Sequence, residues 1–306
     1  MTEALLAKGE PFEVAYTQRD LLIYALGIGC GYYPKAEKEA HADLRYTSEL
    51  NDNFAAFPLY PVALVFKGTS QDTVPYPPPT LAWFPDGMPA HNPMGTLHAE
   101  QSIEIHRPLP PAGAKLTVER RAIALHPKGK ANALMESEFK IVDDQGLPLC
   151  TLVMGSFLRG VEPFDGVGPK APKKPTMPTR APDAVLALPT SVSQASIYRL
   201  SGDYNPLHVD PEMAQALGFQ EPILHGLCSM GVAARALVHL CCDNDPRGFR
   251  KMSVRMTKPC LPGETLETRI WRREGTSSVF FQTRVVERDV VILDGGEFVF
   301  GPVARL

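Results

Sequence analysis

Two stretches of this chain occur twice. Ile23-Tyr24-Ala25-Leu26-Gly27-Ile28-Gly29 aligns with Ile197-Tyr198-Arg199-Leu200-Ser201-Gly202-Asp203, an offset of 174 residues. Farther on, Ser102-Ile103-Glu104-Ile105-His106-Arg107-Pro108-Leu109-Pro110-Pro111 aligns with Ser253-Val254-Arg255-Met256-Thr257-Lys258-Pro259-Cys260-Leu261-Pro262, an offset of 151. In both copies a Gly follows (Gly113, Gly263), then a Leu (Leu116, Leu266). The offsets differ by 23 residues, about the size of a Pro-rich stretch, residues 74–93, that reads as an irregular insertion in the first copy. Two matches in the same order predict a duplicated fold. Two copies are too few for a solenoid, so a pseudo-dimer is expected.

A length of 306 residues suits two such units. A Pro/Lys-rich stretch, 166–182, has almost no large apolar residues and reads as an exposed linker. The predicted halves are 1–165 and 186–306, joined by a linker over 166–185. In the second half, Gly226-Leu227-Cys228-Ser229-Met230-Gly231 opens a stretch to residue 242 that is apolar nearly all round, interrupted by Ser229, Arg235 and His239. Such a helix is normally buried. Strand-like runs follow at 251–256, 264–272, 278–288 and 290–300, with Asp294-Gly295-Gly296 reading as a turn. The first half ends similarly, at 115–125, 133–142 and 147–158. The prediction is an α+β fold of two antiparallel sheets, each wrapped on a long central helix.

The net charge is −3, so no polybasic field is expected to hold nucleic acid or an anionic membrane. No run of 18 apolar residues appears, and residues 1–10 have no apolar signal region, so neither a membrane span nor secretion is expected. Pro, at 30 residues, is about twice its average share of roughly 5%, which favours strand edges and loops over a helical bundle. Six cysteines, Cys30, Cys150, Cys228, Cys241, Cys242 and Cys260, form no C-x-x-C and no zinc-finger spacing, so buried free thiols are expected.

The strongest chemical signal is Tyr198-Arg199-Leu200-Ser201-Gly202-Asp203-Tyr204-Asn205-Pro206-Leu207-His208. Asp203, Asn205 and His208 fall within six residues, flanked by Gly202 and Pro206, so they sit on a turn. A carboxylate and an imidazole on one rigid turn can share a water, as general acid–base catalysis requires. From spacing alone, the pattern also fits a turn whose side chains bond its own backbone. An EF-hand is excluded because His208 and Ala214 occupy the positions that need Gly and Glu. A zinc site lacks a third nearby ligand in the sequence. Asp210-Pro211 reads as a helix N-cap with Pro in the first helical position.

This segment, continuing into Pro222-Ile223-Leu224-His225-Gly226, resembles the signature of the MaoC-like type 2 enoyl-CoA hydratases, the (R)-specific hydratases. In the first half, Leu22-Ile23-Tyr24-Ala25-Leu26-Gly27-Ile28-Gly29, Leu97-His98-Ala99-Glu100-Gln101 and Pro108-Leu109-Pro110-Pro111-Ala112-Gly113 resemble the non-catalytic half of the eukaryotic two-fold "hot-dog" hydratases. The resemblance covers nearly the whole chain. It implies a double hot-dog enzyme that hydrates trans-2-enoyl-CoA to (3R)-hydroxyacyl-CoA. Asp203 and His208 would be the acid/base pair, and Asn205 would orient substrate or water. The Gly226 N–H would stabilise the thioester oxyanion, a role that a helix N-terminus also suits physically. Acyl-CoA contacts would fall at His98, Ala99, Lys128, Tyr204, Pro206, Leu207 and Met256. At Ala99 the family commonly has Gly, and at Met256 some members carry an aromatic.

Under the first offset Asp203 faces Gly29, Asn205 faces Gly31 and His208 faces Pro34, so the first copy has no acid/base pair. It is expected to accommodate a bulky acyl chain instead. No metal and no redox cofactor are expected, because the thioester already activates the double bond. His225 is expected to be structural, Cys228 and Ser229 to be helix packing, and Arg235 with His239 to form a satisfied polar pair. Gly27-Ile28-Gly29-Cys30-Gly31 fails as a dinucleotide loop, with Tyr at position 32. The resemblance also implies a homodimer. The ending Ala304-Arg305-Leu306 resembles an S-K-L-type address, which implies a peroxisomal import receptor as partner, with the cytoplasm as the alternative. The rival functions are a hot-dog acyl-CoA thioesterase and a non-catalytic acyl-CoA-binding module.

Overall fold

The repeated segments meet one another in space. The computed structural model describes residues 6, 8–31, 42–91, 96–170 and 175–302, so Pro34 and the Ala304-Arg305-Leu306 tail lie outside the described residues. The first half contributes β1 (Lys8–Tyr16), β2 (Leu97–Ile105), β3 (Ala114–Lys128), β4 (Asn132–Val142) and β5 (Pro148–Arg159). The second contributes β6 (Ala184–Pro189), β7 (Phe249–Met256), β8 (Thr265–Arg272), β9 (Ser278–Val285) and β10 (Val290–Phe300). All ten form one sheet in the order β1-β3-β4-β5-β2-β7-β10-β9-β8-β6. Read outward from the middle, the two halves have the same strand order, and every pairing is antiparallel.

The seam lies between β2 and β7, where Ser102 pairs directly with Ser253, its own equivalent in the repeat. A residue that pairs with its counterpart marks the pseudo-twofold axis. The other repeated segment behaves likewise. Helix α1 (Gln18–Gly27) carries Tyr24, whose ring lies 6.0 Å from the ring of its equivalent, Tyr198, on α4 (Gln194–Tyr198). Between them in sequence come α2 (Leu44–Thr47) and α3 (Pro61–Lys67), and after α4 come α5 (Pro211–Ala216) and α6 (Gly226–Cys242).

Four expectations need correction. The two half-sheets are one continuous sheet, because β2 and β7 satisfy each other's exposed edges. Among the described residues, only the second half has a long central helix. In the same chain position the first half has the seven-residue α3, bounded by Pro61 at its start and Gly68 at its end. Asp294-Gly295-Gly296 is not a turn but a bulge within β10, where the register shifts against both neighbours. The linker is also partly docked: Val167 is buried and bridges Leu125, and β6 begins at Ala184.

Helix α6 is buried from Leu227 to Val238, as its apolar circumference requires. Its one buried cation, Arg235, reaches out of the helix to Asp43, with Nη2 donating to Oδ2 at 2.9 Å, and Nη1 donates to the Ile28 carbonyl at 3.3 Å. Asp43 also accepts from the Gly31 N–H at 2.8 Å. Arg235 was expected to pair along the helix with His239. An ion pair runs from Arg235 to Asp43 of the first half, and His239 Nδ1 meets Asn244. All six cysteines are free thiols, and Cys228 donates to the Gly27 carbonyl.

Candidate active site

The turn carrying Asp203 and His208 is built by local chemistry. Asn205 caps the single 3-10 turn Pro206–His208, its Oδ1 accepting from the Leu207 N–H at 3.1 Å. The Asn205 N–H in turn donates to Asp203 Oδ1 at 3.2 Å. Asp210 caps α5, accepting from the N–H groups of Glu212 and Met213, as the sequence predicts. Gly202 precedes Asp203 with φ +133°, a conformation that disfavours any side chain. A Cβ there would lie 2.7 Å from the Lys67 backbone N. The turn is thus seated on the end of α3, and the first half supports the site from behind. Gly202→Ala is expected to lose about 1–3 kcal/mol of stability from backbone strain, seen as a lower melting temperature.

Asp203 and His208 face one cavity of about 590 Å³. Burial raises the Asp203 pKa, opposed by the nearby His208. Burial lowers the His208 pKa, opposed by Asp203 and by the Ile223 carbonyl. Each group is pushed toward its neutral form. His208 Nδ1 donates to the Ile223 carbonyl at 2.8 Å, which fixes the tautomer and leaves Nε2 as an acceptor.

His225, expected to be structural, ties the pair together. Its ring stacks on His208 with centroids 3.6 Å apart and planes 27° apart. Its Nε2 donates to the Asp203 backbone carbonyl at 3.1 Å, and its Nδ1 is buried without a hydrogen-bond partner. Burial drives its pKa well down, so it packs as a neutral ring. The fold therefore supplies the third metal-ligating group that the sequence lacked: Asp203, His208 and His225 each have a ligand-type atom within 4.8 Å of the others. One His225 nitrogen is already engaged by the Asp203 carbonyl.

Gly226 opens α6 on the cavity wall, where the first helical N–H groups have no intrahelical acceptor. A Cβ on Gly226 would lie 3.1 Å from Met256 Cγ, so glycine keeps this approach open. The first-half helix α3 opens instead with Pro61, which has no N–H to offer. Gly29, the counterpart of Asp203, faces Arg235 instead, whose Nη1 would lie 3.1 Å from a Cβ there. Among the described residues, Asp203, His208 and the glycine-opened helix all belong to the second half.

The remaining expected contacts divide. His98, Leu207 and Met256 line the cavity. His98 is held neutral by burial, its pKa pushed down to about 4, and its Nε2 meets Gln101 Oε1 at 3.0 Å. Ala99 lies beside a bulge in β2. Tyr204 lies under the Arg199 guanidinium at 4.5 Å, and Pro206 opens the 3-10 turn. None of these three, nor Lys128, is among the cavity-lining residues. Lys128 is exposed at the hairpin end of β3, where strand pairing carries it away from the seam. The sequence reading missed Tyr76, Leu81 and Trp83, which line the cavity from the Pro-rich stretch read as an insertion.

A family model described as "MaoC like domain" matches residues 173–295, and one described as "MFE-2 hydratase 2 N-terminal domain" matches residues 14–160. A Dictyostelium discoideum protein named "Probable enoyl-CoA hydratase 2" is 35% identical over 300 residues, covering 97% of this chain and 95% of its own. An Arabidopsis thaliana protein named "Enoyl-CoA hydratase 2, peroxisomal" is 37% identical over 295 residues, covering 92% and 89%. The crystal structure of a MaoC-like dehydratase from Phytophthora capsici superposes with a TM-score of 0.90 at 48% identity, covering 100% of both chains. A Mycobacterium tuberculosis protein described as a double hotdog fold, 16% identical with a TM-score of 0.54 over 96% of both chains, is similar in fold alone.

Proposed function

The chain belongs to the MaoC-like dehydratase family, and on that footing we propose that it is a type 2 enoyl-CoA hydratase: it adds water to trans-2-enoyl-CoA to give (3R)-hydroxyacyl-CoA in fatty-acid β-oxidation. The observation that carries the proposal is the single-turn placement of Asp203 and His208 on the cavity that Gly226 opens into.

The water oxygen bonds to C3 while one of its protons passes to the pair. C2 receives a proton from the pair, and the C2=C3 π bond is consumed. One proton taken and one given leave the pair unchanged over a turnover. His208 Nε2, unprotonated in the tautomer set by Ile223, suits the accepting step, and a carboxyl raised by burial suits the donating step. The charge that develops on the thioester oxygen is met by the Gly226 N–H and the positive end of α6. The thioester activates the double bond itself, so the reading includes no metal and no redox cofactor. Asn205, fixed by its capping bond, presents its amide to the water or substrate.

The protonation directions predict a bell-shaped kcat/KM profile of the coupled pair. Activity falls on the acid side when the pair takes a second proton. Burial weakens His208's hold on that proton, so this limb lies below the ordinary imidazole range. Activity falls on the alkaline side when the last proton leaves, and burial of Asp203 puts that limb above the ordinary carboxylate range. A hydration assay across pH checks both limbs.

Turnover measured across a series of trans-2-enoyl-CoA chain lengths tests the proposal. Hydration with an optimum at long or branched chains is expected, because the cavity extends into the first half. Failure to hydrate any member overturns it. Peroxisomal location is part of the proposal, supported by the Arabidopsis relative's name and the small-basic-Leu pattern of Ala304-Arg305-Leu306. A fluorescent protein carrying this tail is expected to form puncta with a peroxisomal marker, and an added residue after Leu306 to disperse them. Homodimerisation is read by light scattering as twice the chain mass.

A further inference from the structure

The far part of the cavity holds a cation that a plain hydrocarbon tail does not need. From Asp203, His208 and Gly226 the cavity runs into the first half, where its wall is mostly apolar, with Phe66, Leu81, Phe84 and Met135. Arg120 of β3 is part of that wall. Its guanidinium lies over the ring of Phe12, at 5.4 Å, and over that of Trp83, at 5.1 Å. Among the described residues its one hydrogen bond runs from Nη1 to the Thr80 carbonyl at 2.8 Å, and its Nε is buried without a partner. The hydroxyl of the same Thr80 is buried and, among the described residues, also has no hydrogen-bond partner. No ion pair within 4 Å engages Arg120 among the described residues, although Glu10 is near enough for its charge to be felt. A half-buried guanidinium on a cavity wall with spare N–H donors can take a further acceptor.

Position says what could complete it. Strand β3 is four strand spacings, about 19 Å across the sheet, from β7, which carries Met256 beside Gly226. A group on Arg120 therefore sits at the far end of a long acyl chain whose thioester is at Gly226. We propose that Arg120 is a specificity-determining residue that receives a carboxylate at the ω end of the acyl chain, so that the enzyme favours ω-carboxylated enoyl-CoA. The inference rests on the hydratase reading and deepens it. The carboxylate accepts from the guanidinium N–H groups and from the Thr80 hydroxyl, and the Phe12 and Trp83 rings hold the guanidinium plane.

The test compares trans-2-hexadecenoyl-CoA with its ω-carboxylated counterpart in the full chain and in Arg120→Met and Arg120→Lys variants. The native enzyme is expected to have the higher kcat/KM for the ω-carboxylate. Arg120→Met should lower the ratio of the two by roughly 10–100-fold, the range of charge-assisted hydrogen bonds, and Arg120→Lys should retain part of the preference. A ratio that is the same in the native and Met proteins, or a native preference for the plain chain, overturns the proposal. A second readout needs no turnover. Trp83 emission should respond to saturated hexadecanedioyl-CoA more strongly than to palmitoyl-CoA, and Arg120→Met should remove the difference; the other tryptophan, Trp271, lies on β8. If hydration fails but this difference stands, the reaction is wrong and the recognition right. If hydration stands without it, the recognition is wrong.

Discussion

Asp203→Asn is expected to lower kcat by about 10²–10⁴-fold with the fold intact, and His208→Gln by a similar factor. Both replacements are close in size to the native groups, so the capped turn and the His225 stack lose little packing. Asp203→Asn keeps an oxygen to accept from the Asn205 N–H, and the His225 bond runs to the Asp203 backbone, which no side-chain change removes. The loss should therefore fall on chemistry. The double variant should be little worse than either single one, because both groups serve one proton exchange. Steady-state hydration kinetics with a thermal melt decide the matter: a properly folded variant with more than roughly a third of native activity would remove that residue from the reaction.

The second large effect is structural. Asp43→Ala is expected to cost about 3–5 kcal/mol, because it removes the carboxylate that pairs with the buried Arg235 guanidinium and accepts from the Gly31 N–H. The two side chains are only 9% and 3% exposed. Arg235 sits in the middle of α6, so the strain passes to the helix that presents Gly226. Removing both charges with Asp43→Leu and Arg235→Met should recover much of the loss, since an apolar pair needs no compensation. Denaturant unfolding of the two variants checks the sign: a single variant no less stable than the double one would contradict the account.

The duplication and the turn that brings Asp203, Asn205 and His208 together were both legible in the sequence, each for a physical reason. The pseudo-twofold makes equivalent residues touch, as Ser102 with Ser253 and Tyr24 with Tyr198, so their neighbourhoods keep similar residues. Asp203, Asn205 and His208 are close in sequence because one capped turn positions all three. What escaped was long-range. His225 lies 17 positions beyond His208 and reaches it only because Ile223 and Leu224 fold back onto the His208 ring and the Cys260 carbonyl. Arg235 was read within its helix, but its carboxylate partner lies 192 residues away. The Pro-rich stretch has no regular pattern to read, yet it supplies a wall of the cavity. The long first-half helix was expected by analogy with the second, and Pro61 and Gly68 confine it to seven residues. The short helix also opens with Pro61, which has no N–H, where the long helix of the second half opens with Gly226.

The most direct measurement of the central claim is the identity and handedness of the product. Purified protein incubated with a trans-2-enoyl-CoA, with the products resolved on a chiral phase, should yield one species, the (3R)-hydroxyacyl-CoA, with no release of free CoA. Free CoA with the enoic acid would make the site a thioesterase, and a (3S) product would place the water on the wrong face of the bound chain; either would contradict the account.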